Sequence, residues 1–515
     1  MKIRLNLFYL LIILVSFSCS KKYNVCQDDS VISQPIMTND GWQTSSLDSV
    51  NINSEKLQEL VNRICDSTYQ NVHGIVIVKD GMLVFEHYFG GYTFKYKAEE
   101  CKGRFIRFDR DIPHNLASVT KSVTSILFGI AYDQGFITDV NDTLFKYFPE
   151  YASLNDSSKN QIRLYDALTM TSGFKWNEQS ISIKDNSNDL IRLFYVDDPI
   201  EYILSKPVIH KPGSTFYYNG GNTNLLGEII HKTSGLKLDD FAKKYLFEPL
   251  GIKRRKWIYF NREMVYASVD LKLRPRDMAK IGYLMLSKGV WKDKQILSTG
   301  WIKQSTAGSV HFNDRDGYGY QWWTKKYVLG NISINLFTAL GWGGQRIMVI
   351  PDLNAVVVFT AGNYDSKDPS DEIMYRYILP SLDENFKYDY ENIKNEAPIS
   401  EPINIVEPSQ DVRPEIAKLS GHWYGWGDYW IAGQLVVEQI DSSKASVLYA
   451  WGDHPDGYFK RGWVRRSAAV DSLGQIAFSL YDANLTFKLD KDENVIIGYY
   501  TKGQAKSKLI FHRLY

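Results

Sequence analysis

The chain of 515 residues is short of cysteine, with four (Cys19, Cys26, Cys65, Cys101) and no Cys-x-x-Cys pair among them. So few cysteines over this length exclude a disulfide-built scaffold and a zinc ribbon. Net charge is nearly absent as well: 60 Lys and Arg against 59 Asp and Glu leave +1. Without a basic field the chain offers nothing to a polyanion, so no nucleic-acid partner is expected. No apolar run reaches the roughly 20 residues that a bilayer span needs. His-Glu-x-x-His, a phosphate-binding loop, a dinucleotide fingerprint and a His/Cys zinc cluster are all missing, so neither a metal nor a cofactor is expected.

What is there is a folded globular composition, 44% hydrophobic and 23% charged, long enough for two or three domains. Aromatics are abundant at 14%, with 13 Trp and 34 Tyr. Met1–Cys19 reads MKIRLNLFYLLIILVSFSC, in which Lys2 and Arg4 precede Leu5–Phe17, a mainly apolar run of 13 residues. That run is too short to cross a bilayer and has the form of a secretory signal. Ser18 followed by Cys19 resembles the end of a bacterial lipoprotein signal. The resemblance implies a lipid on Cys19, a cell-envelope location on either membrane face, and membrane contact through that lipid alone; plain secretion is the alternative. Residues 20–46 then read as a polar tether. The remaining three cysteines read as small buried residues, with at least one thiol unpaired within the chain.

Four of the 16 prolines (Pro398, Pro402, Pro408, Pro414) fall between 398 and 414 among Glu, Asp and Asn, which marks an extended linker over 386–414. Upstream, GIVIV and MLVFEHYF flank Lys79-Asp80-Gly81, and RIMVI and AVVVFT flank Pro351–Asn354, so both read as β-hairpins. Between them Ala117–Tyr132, Leu225–His231, Leu238–Phe247 and Pro275–Leu286 have helical spacing. Strands at both ends with helices between predict an α/β (α+β) unit: an antiparallel sheet built from both ends of the segment, with an inserted helical part. Downstream of 415, short runs from Gln434–Ile440 to Lys508–Arg513 recur between Gly and Asp turns, which predicts an antiparallel sandwich or small barrel.

Ser-x-x-Lys occurs at Ser18, Ser118, Ser172 and Ser234, and composition alone gives roughly that many, so context must separate them. Only Ser118 lies in an apolar helix, LASVTKSVTSILFGIAY, and a spacing of three puts Ser118 and Lys121 on one face. Lys121 is the only charge between Asp111 and Asp133. Burial lowers a lysine pKa, so a neutral amine beside a serine hydroxyl is expected, as an activated nucleophile requires. A helix starting near Ala117 would favour developing negative charge at Ser118. The competing reading is a core helix whose lysine reaches the surface.

Two further segments carry chemistry. Lys211–Gly227, KPGSTFYYNGGNTNLLG, sets Tyr217, Tyr218 and Asn219 before a helix, where a tyrosine hydroxyl can relay a proton. Ala339–Pro351, ALGWGGQRIMVIP, brings Gly343 and Gly344 into a strand, where the next N–H can meet an oxyanion.

Taken together, Ser118-Val119-Thr120-Lys121, PGSTFYYNGGNTNLLG and LGWGGQ resemble the serine β-lactamase/penicillin-binding-protein superfamily. The look is closest to class C-like enzymes and family VIII carboxylesterases. ALTMTSG (167–173), FEPLGI (247–252) and RPRDMAKIG (274–282) extend the resemblance over roughly 70–385. It implies a hydrolase domain over 47–385. Ser118 would be the acyl-accepting nucleophile, Lys121 its base or proton partner, and the N–H groups of Ser118 and Gln345 the oxyanion hole. Counting back nine residues from Gly227 selects Tyr218 as the family tyrosine, whereas the literal Tyr-x-Asn pattern selects Tyr217. With Tyr218, the family asparagine falls on Gly220, and Asn219 or Asn222 would have to stand in.

Trp342-Gly343-Gly344 replaces the Lys-Thr-Gly of β-lactamases, which removes a cation for a substrate carboxylate. Arg346 follows Gly344 by two residues, and strand alternation leaves its direction open. Lys232-Thr233-Ser234-Gly235 ends a helix and is a decoy. His114 reads as structural, and Tyr320 and Trp322 as either acyl-pocket lining or packing. The resemblance implies a serine hydrolase of a small ester or amide; the alternatives are a β-lactamase or D-alanyl peptide hydrolase, or a non-catalytic surface binding scaffold. Residues 415–515 resemble the lipocalin-like β-domains appended to this family. The cluster Trp423, Trp426, Trp430, Trp451 and Trp463 reads there as packing or as a sugar- or lipid-binding face.

Overall fold

The computed structural model describes residues 25–26, 30–260, 264–329, 332–387, 390–427, 431–454, 458–490 and 495–514. The signal segment with Cys19, and Trp430, lie outside them. Among the described residues no helix is long and apolar enough to cross a membrane.

Strands β1 (Val72–Lys79), β2 (Met82–Tyr88), β3 (Val310–His311), β4 (Asp316–Tyr318), β5 (Trp323–Leu329), β6 (Ile332–Gly341), β7 (Gln345–Ile350) and β8 (Ala355–Ala361) form one antiparallel sheet. Their order is β3-β4-β5-β6-β7-β8-β1-β2, so β1 and β8, far apart in sequence, pair inside the sheet with Val76 opposite Val358. The expected sheet from both ends is present. Its central strands are apolar on both sides because both faces are covered. Val76, Val78, Val356 and Val358 pack under α2 (Val119–Asp133) and α4 (Pro275–Leu286). Ile75, Ile77, Val357 and Phe359 face α1 (Ser54–Cys65) and the helical stretch Ser370–Leu382. In α1 the buried Leu57, Leu60, Val61 and Ile64 recur at helical spacing, and Asn53 caps its start. The helices between residues 88 and 310, including α3 (Gly220–Ser234), build the inserted part.

The structure goes beyond two expectations near the amino terminus. Cys26 and Cys65, read only as small buried residues, form a disulfide, and Cys101 is free and buried, in keeping with at least one unpaired thiol. Residues 36–44, read as tether, lie against the body instead. Trp42 is buried and its Nε1 donates to the Arg276 carbonyl at 3.1 Å, while Arg276 binds Glu86 and Asp40 at 2.6 and 3.1 Å. The chain returns to the body because Trp42 has apolar surface to bury among Tyr283 and Trp291.

His73 and His114 form a buried pair, Nδ1 to Nε2 at 2.9 Å, against the ring of Phe108. His114 is therefore a structural residue. Burial holds His73 well below the ordinary histidine value and His114 down at about 4. A histidine whose folded pKa is depressed binds its proton first in the unfolded chain. Its contribution is complete above the unfolded value near 6.5 and is lost as pH falls toward 4. For His114 the loss amounts to about 3 kcal/mol. Denaturant unfolding at pH 7.5 and 4.5 should show a smaller acid loss in His73→Phe/His114→Phe than in wild type; equal losses would contradict the assignment.

Downstream, β9 (Gly421–Gly427), β10 (Ala432–Ile440), β11 (Lys444–Trp451), β12 (Gly462–Val470), β13 (Ile476–Leu480), β14 (Ala483–Leu489), β15 (Val495–Lys502) and β16 (Ala505–Arg513) close into an antiparallel barrel through β9 and β16. Trp423, Leu435, Tyr449, Phe478, Phe487 and Phe511 belong to its buried apolar cluster. Trp426 is also buried, Trp451 Nε1 donates to the Lys460 carbonyl at 2.9 Å and Trp463 Nε1 to Ser400 Oγ at 2.8 Å, so these tryptophans pack and pin loops. The stretch expected as linker is partly ordered against the barrel: α5 (Tyr390–Glu396) buries Ile393 beside Ala432 and Ala450.

Candidate active site

Three distant segments meet at the amino-terminal end of α2. The helix begins at Val119, two residues later than expected, because Ala117 takes φ +44° and Ser118 is the N-cap. A positive φ at a residue with a Cβ costs about 1 kcal/mol or more. It is held by the Ala117 N–H donating to Asn115 Oδ1 at 2.8 Å and by Asn115 Nδ2 donating to Asp270 at 2.6 Å. The Ser118 side chain makes no capping bond, and Lys121 Nζ lies 3.0 Å from Ser118 Oγ and 3.2 Å from the Ser268 carbonyl. Ser122, Thr124 and Ser125 tie α2 to the carbonyls of Gln321, Ala267 and Tyr320 at 2.6, 2.7 and 2.6 Å. These hydroxyls fix the helix, and with it the Ser118–Lys121 pair, in one rotation.

The second segment brings Tyr218 to Lys121, whose Nζ lies 4.9 Å from the ring centroid. Tyr217 instead stands beside the His210 ring, with its backbone N–H bonded to the Met170 carbonyl. Asn219 caps α3, accepting from the Asn222 N–H at 3.2 Å. Tyr218→Phe should therefore lower kcat about 100-fold or more while Tyr217→Phe changes it little; the reverse order in a steady-state ester assay would place the relay on Tyr217.

The third segment is the β6–β7 turn. A Cβ on Gly341 would collide with the Leu116 carbonyl oxygen, so the turn lies directly against the strained approach to Ser118. Gly343 and Gly344 have φ +86° and +87°, conformations that a side chain strains. Gln345 is buried, and its side-chain amide is bonded to the Ala361 backbone, N–H and carbonyl alike. Trp342 is 37% exposed and stands edge-on to Tyr364 and Phe94, forming an aromatic wall. A second aromatic group has Tyr218 stacked on Trp323, next to Phe216 and Tyr318. Tyr320 and Trp322 are buried in packing with Trp301 and Phe337. Arg346 is taken up by Asp368 at 2.7 Å and Asp371 at 3.4 Å. Lys232-Thr233-Ser234 ends α3 at Gly235, as expected of the decoy.

One residue that the sequence did not mark sits in the centre. Glu178 lies 3.7 Å from Lys121 Nζ, and side-chain exposure is 4% and 2% for the two. Trp176 Nε1 and the Gly220 N–H each donate to Glu178 Oε2 at 2.7 Å. This corrects the expected neutral lysine. Burial alone pushes the Lys121 amine down, but Tyr218 and the Glu178 carboxylate push it up further, and its pKa stands above the ordinary lysine value.

The Beta-lactamase family model matches residues 66–380 of this chain. A curated Salmonella typhimurium protein named "Putative D-alanyl-D-alanine carboxypeptidase" is 28% identical over 231 residues, 43% of this chain and 51% of that protein. The chain thus spans about half the length of the curated relatives it matches. Among solved structures, an octameric penicillin-binding protein homologue from Pyrococcus abyssi is 16% identical with a TM-score of 0.50, over 88% of this chain and 99% of that one. A family VIII carboxylesterase is 15% identical with a TM-score of 0.50, over 68% and 99%. At these identities both show a shared fold.

Proposed function

The chain belongs to the Beta-lactamase family, and from that premise we propose that it is a serine acyl hydrolase acting on a small ester or amide. The observation that carries the reading is Lys121 Nζ at 3.0 Å from Ser118 Oγ, at the amino-terminal end of a buried helix. Ser118 Oγ bonds to the substrate carbonyl carbon, and its proton passes through the Tyr218–Lys121 pair to the leaving oxygen or nitrogen. The N–H groups of Ser118 and Gln345 receive the oxyanion, helped by the positive end of α2. Water then attacks the acyl-enzyme: its oxygen bonds to the acyl carbon, the Ser118 Oγ–carbon bond breaks, and the water's proton passes through the same pair to Ser118 Oγ. Trp342 in place of a lysine, and Arg346 already paired with Asp368, favour an uncharged substrate.

The similarity to a named carboxypeptidase keeps a second reading, β-lactam or D-alanyl peptide hydrolysis. Mature protein and Ser118→Ala, assayed with a short-chain chromogenic ester and a chromogenic cephalosporin, separate the two. Ester turnover lost in the variant supports the first reading, and cephalosporin turnover the second. Turnover of neither, with no covalent labelling of Ser118, supports a non-catalytic scaffold. The same proposal divides the chain into an exported leader with a lipid on Cys19, a hydrolase domain over 47–385, a linker over 386–414 and a β-domain over 415–515. Its membrane contact is the lipid.

A further inference from the structure

Glu178 is a buried carboxylate with a fixed orientation inside the site, and the steps above leave it without a role. Its Oε2 takes the N–H groups of Trp176 and Gly220, which leaves Oε1 turned toward Lys121 at 3.7 Å. A Cβ on Gly220 would lie 2.7 Å from Glu178 Oε2 and 2.8 Å from Leu190 Cδ1. Gly220, where the family pattern has asparagine, is thus what lets the carboxylate come in. The absence of a side chain at 220 and the presence of Glu178 are one feature of this site.

We propose, building on the serine-hydrolase reading, that Glu178 is a positioning residue: its carboxylate is the counter-ion that keeps Lys121 an ammonium beside Ser118, so that the Ser118 proton leaves to Tyr218. An ammonium donates and cannot accept. Lys121 then donates to Ser118 Oγ at 3.0 Å and to the Ser268 carbonyl at 3.2 Å, and the serine proton needs another acceptor. Tyr218, whose ring lies against the same Nζ, is the group to which the proposal assigns it. On attack the Oγ–H bond breaks and the Oγ–carbon bond forms, the serine proton moves to the Tyr218 oxygen as the Tyr218 hydroxyl passes its own proton to the leaving oxygen or nitrogen, and Lys121 stays charged against the developing oxyanion. The shift of Lys121 above its ordinary value agrees with that charge state. The charged and titratable groups around Lys121 are Tyr218 from the segment before α3, Glu178 from the loop after 173, and Asp270 from the loop before Leu271. Tyr266 and Tyr318 complete the surroundings, both facing Glu178 and both pushed well up by burial.

The test is the pH profile of kcat/KM for ester hydrolysis in wild type, Glu178→Gln and Glu178→Asp, with folding followed by circular dichroism at each pH. Wild type should hold its plateau to the alkaline end of the range in which it stays folded. Glu178→Gln should lose activity on the alkaline side at least about 1 pH unit earlier, because a carboxylate within 4 Å supports the ammonium by about that much. Glu178→Asp, which keeps the charge, should return the limb toward wild type. A uniform loss with neither limb moved would mean that Glu178 only supports the fold, and would overturn the proposal. So would an acid limb that moves further than the alkaline one, since the amine would then act as a neutral base. Labelling of Ser118 by a fluorophosphonate at pH 7.5 keeps the two levels apart. Labelling with an unmoved alkaline limb overturns only the role of Glu178, whereas no labelling in wild type overturns the nucleophile, and Glu178 with it.

Discussion

Replacing Ser118 by alanine is expected to lower kcat/KM for a short-chain ester by about 10,000-fold or more while leaving thermal unfolding nearly unchanged. The activity loss is large because the covalent route needs an oxygen at that position, and removing a nucleophile from a site that works as a unit forfeits most of its rate enhancement. The stability effect is small because the Ser118 side chain caps nothing: its oxygen accepts from Lys121, while α2 is held through Ser122, Thr124 and Ser125. Steady-state kinetics beside a melting curve check both halves. A variant with more than a tenth of wild-type activity would place the nucleophile elsewhere.

Lys121→Met should do two things at once. It should lower kcat by about 1,000-fold or more, and it should destabilise the fold by about 3 kcal/mol, since breaking a buried ion pair from one side leaves a charge without its counter-ion. The stranded group is Glu178, 4% exposed at the side chain and held in place by Trp176 and Gly220. Lys121→Met/Glu178→Gln should recover about half of the stability or more, but none of the activity. Denaturant unfolding of wild type, both single variants and the double variant gives the coupling directly. Additive losses would mean that the two charges do not act on each other.

The difference between Ser118 and Glu178 shows how far sequence reasoning reaches. Ser118 and Lys121 stand three apart on one helix, so periodicity alone puts them together. Glu178 reaches Lys121 only through the fold, from a loop whose sequence, KWNEQS, has no period and no motif. The one trace it leaves is indirect: a glycine at 220 where the resemblance predicts asparagine. The charge state of Lys121 escapes the sequence for the same reason, since burial is visible in the apolar helix but the counter-ion is not. Strands followed the same division. The β1–β2 and β7–β8 hairpins and β14 alternate or run apolar between turn residues, and the structure has them. Gly421–Gly427 reads GHWYGWG, buried on both faces and rich in glycine, while Gly462–Val470 exposes Arg465 and Arg466; neither alternates in sequence. The Cys26–Cys65 bond was hidden because only the fold returns the amino-terminal segment to α1, and Val25 to the Gly90 N–H.

The most direct test of the account is the mass of the enzyme during turnover. Wild type mixed with a slowly hydrolysed ester, quenched in acid and digested, should carry the acyl group on the peptide containing Ser118, and Ser118→Ala should carry none. An acyl group on another residue, or rapid ester turnover with no acylated peptide under any quench time, would contradict a mechanism through Ser118.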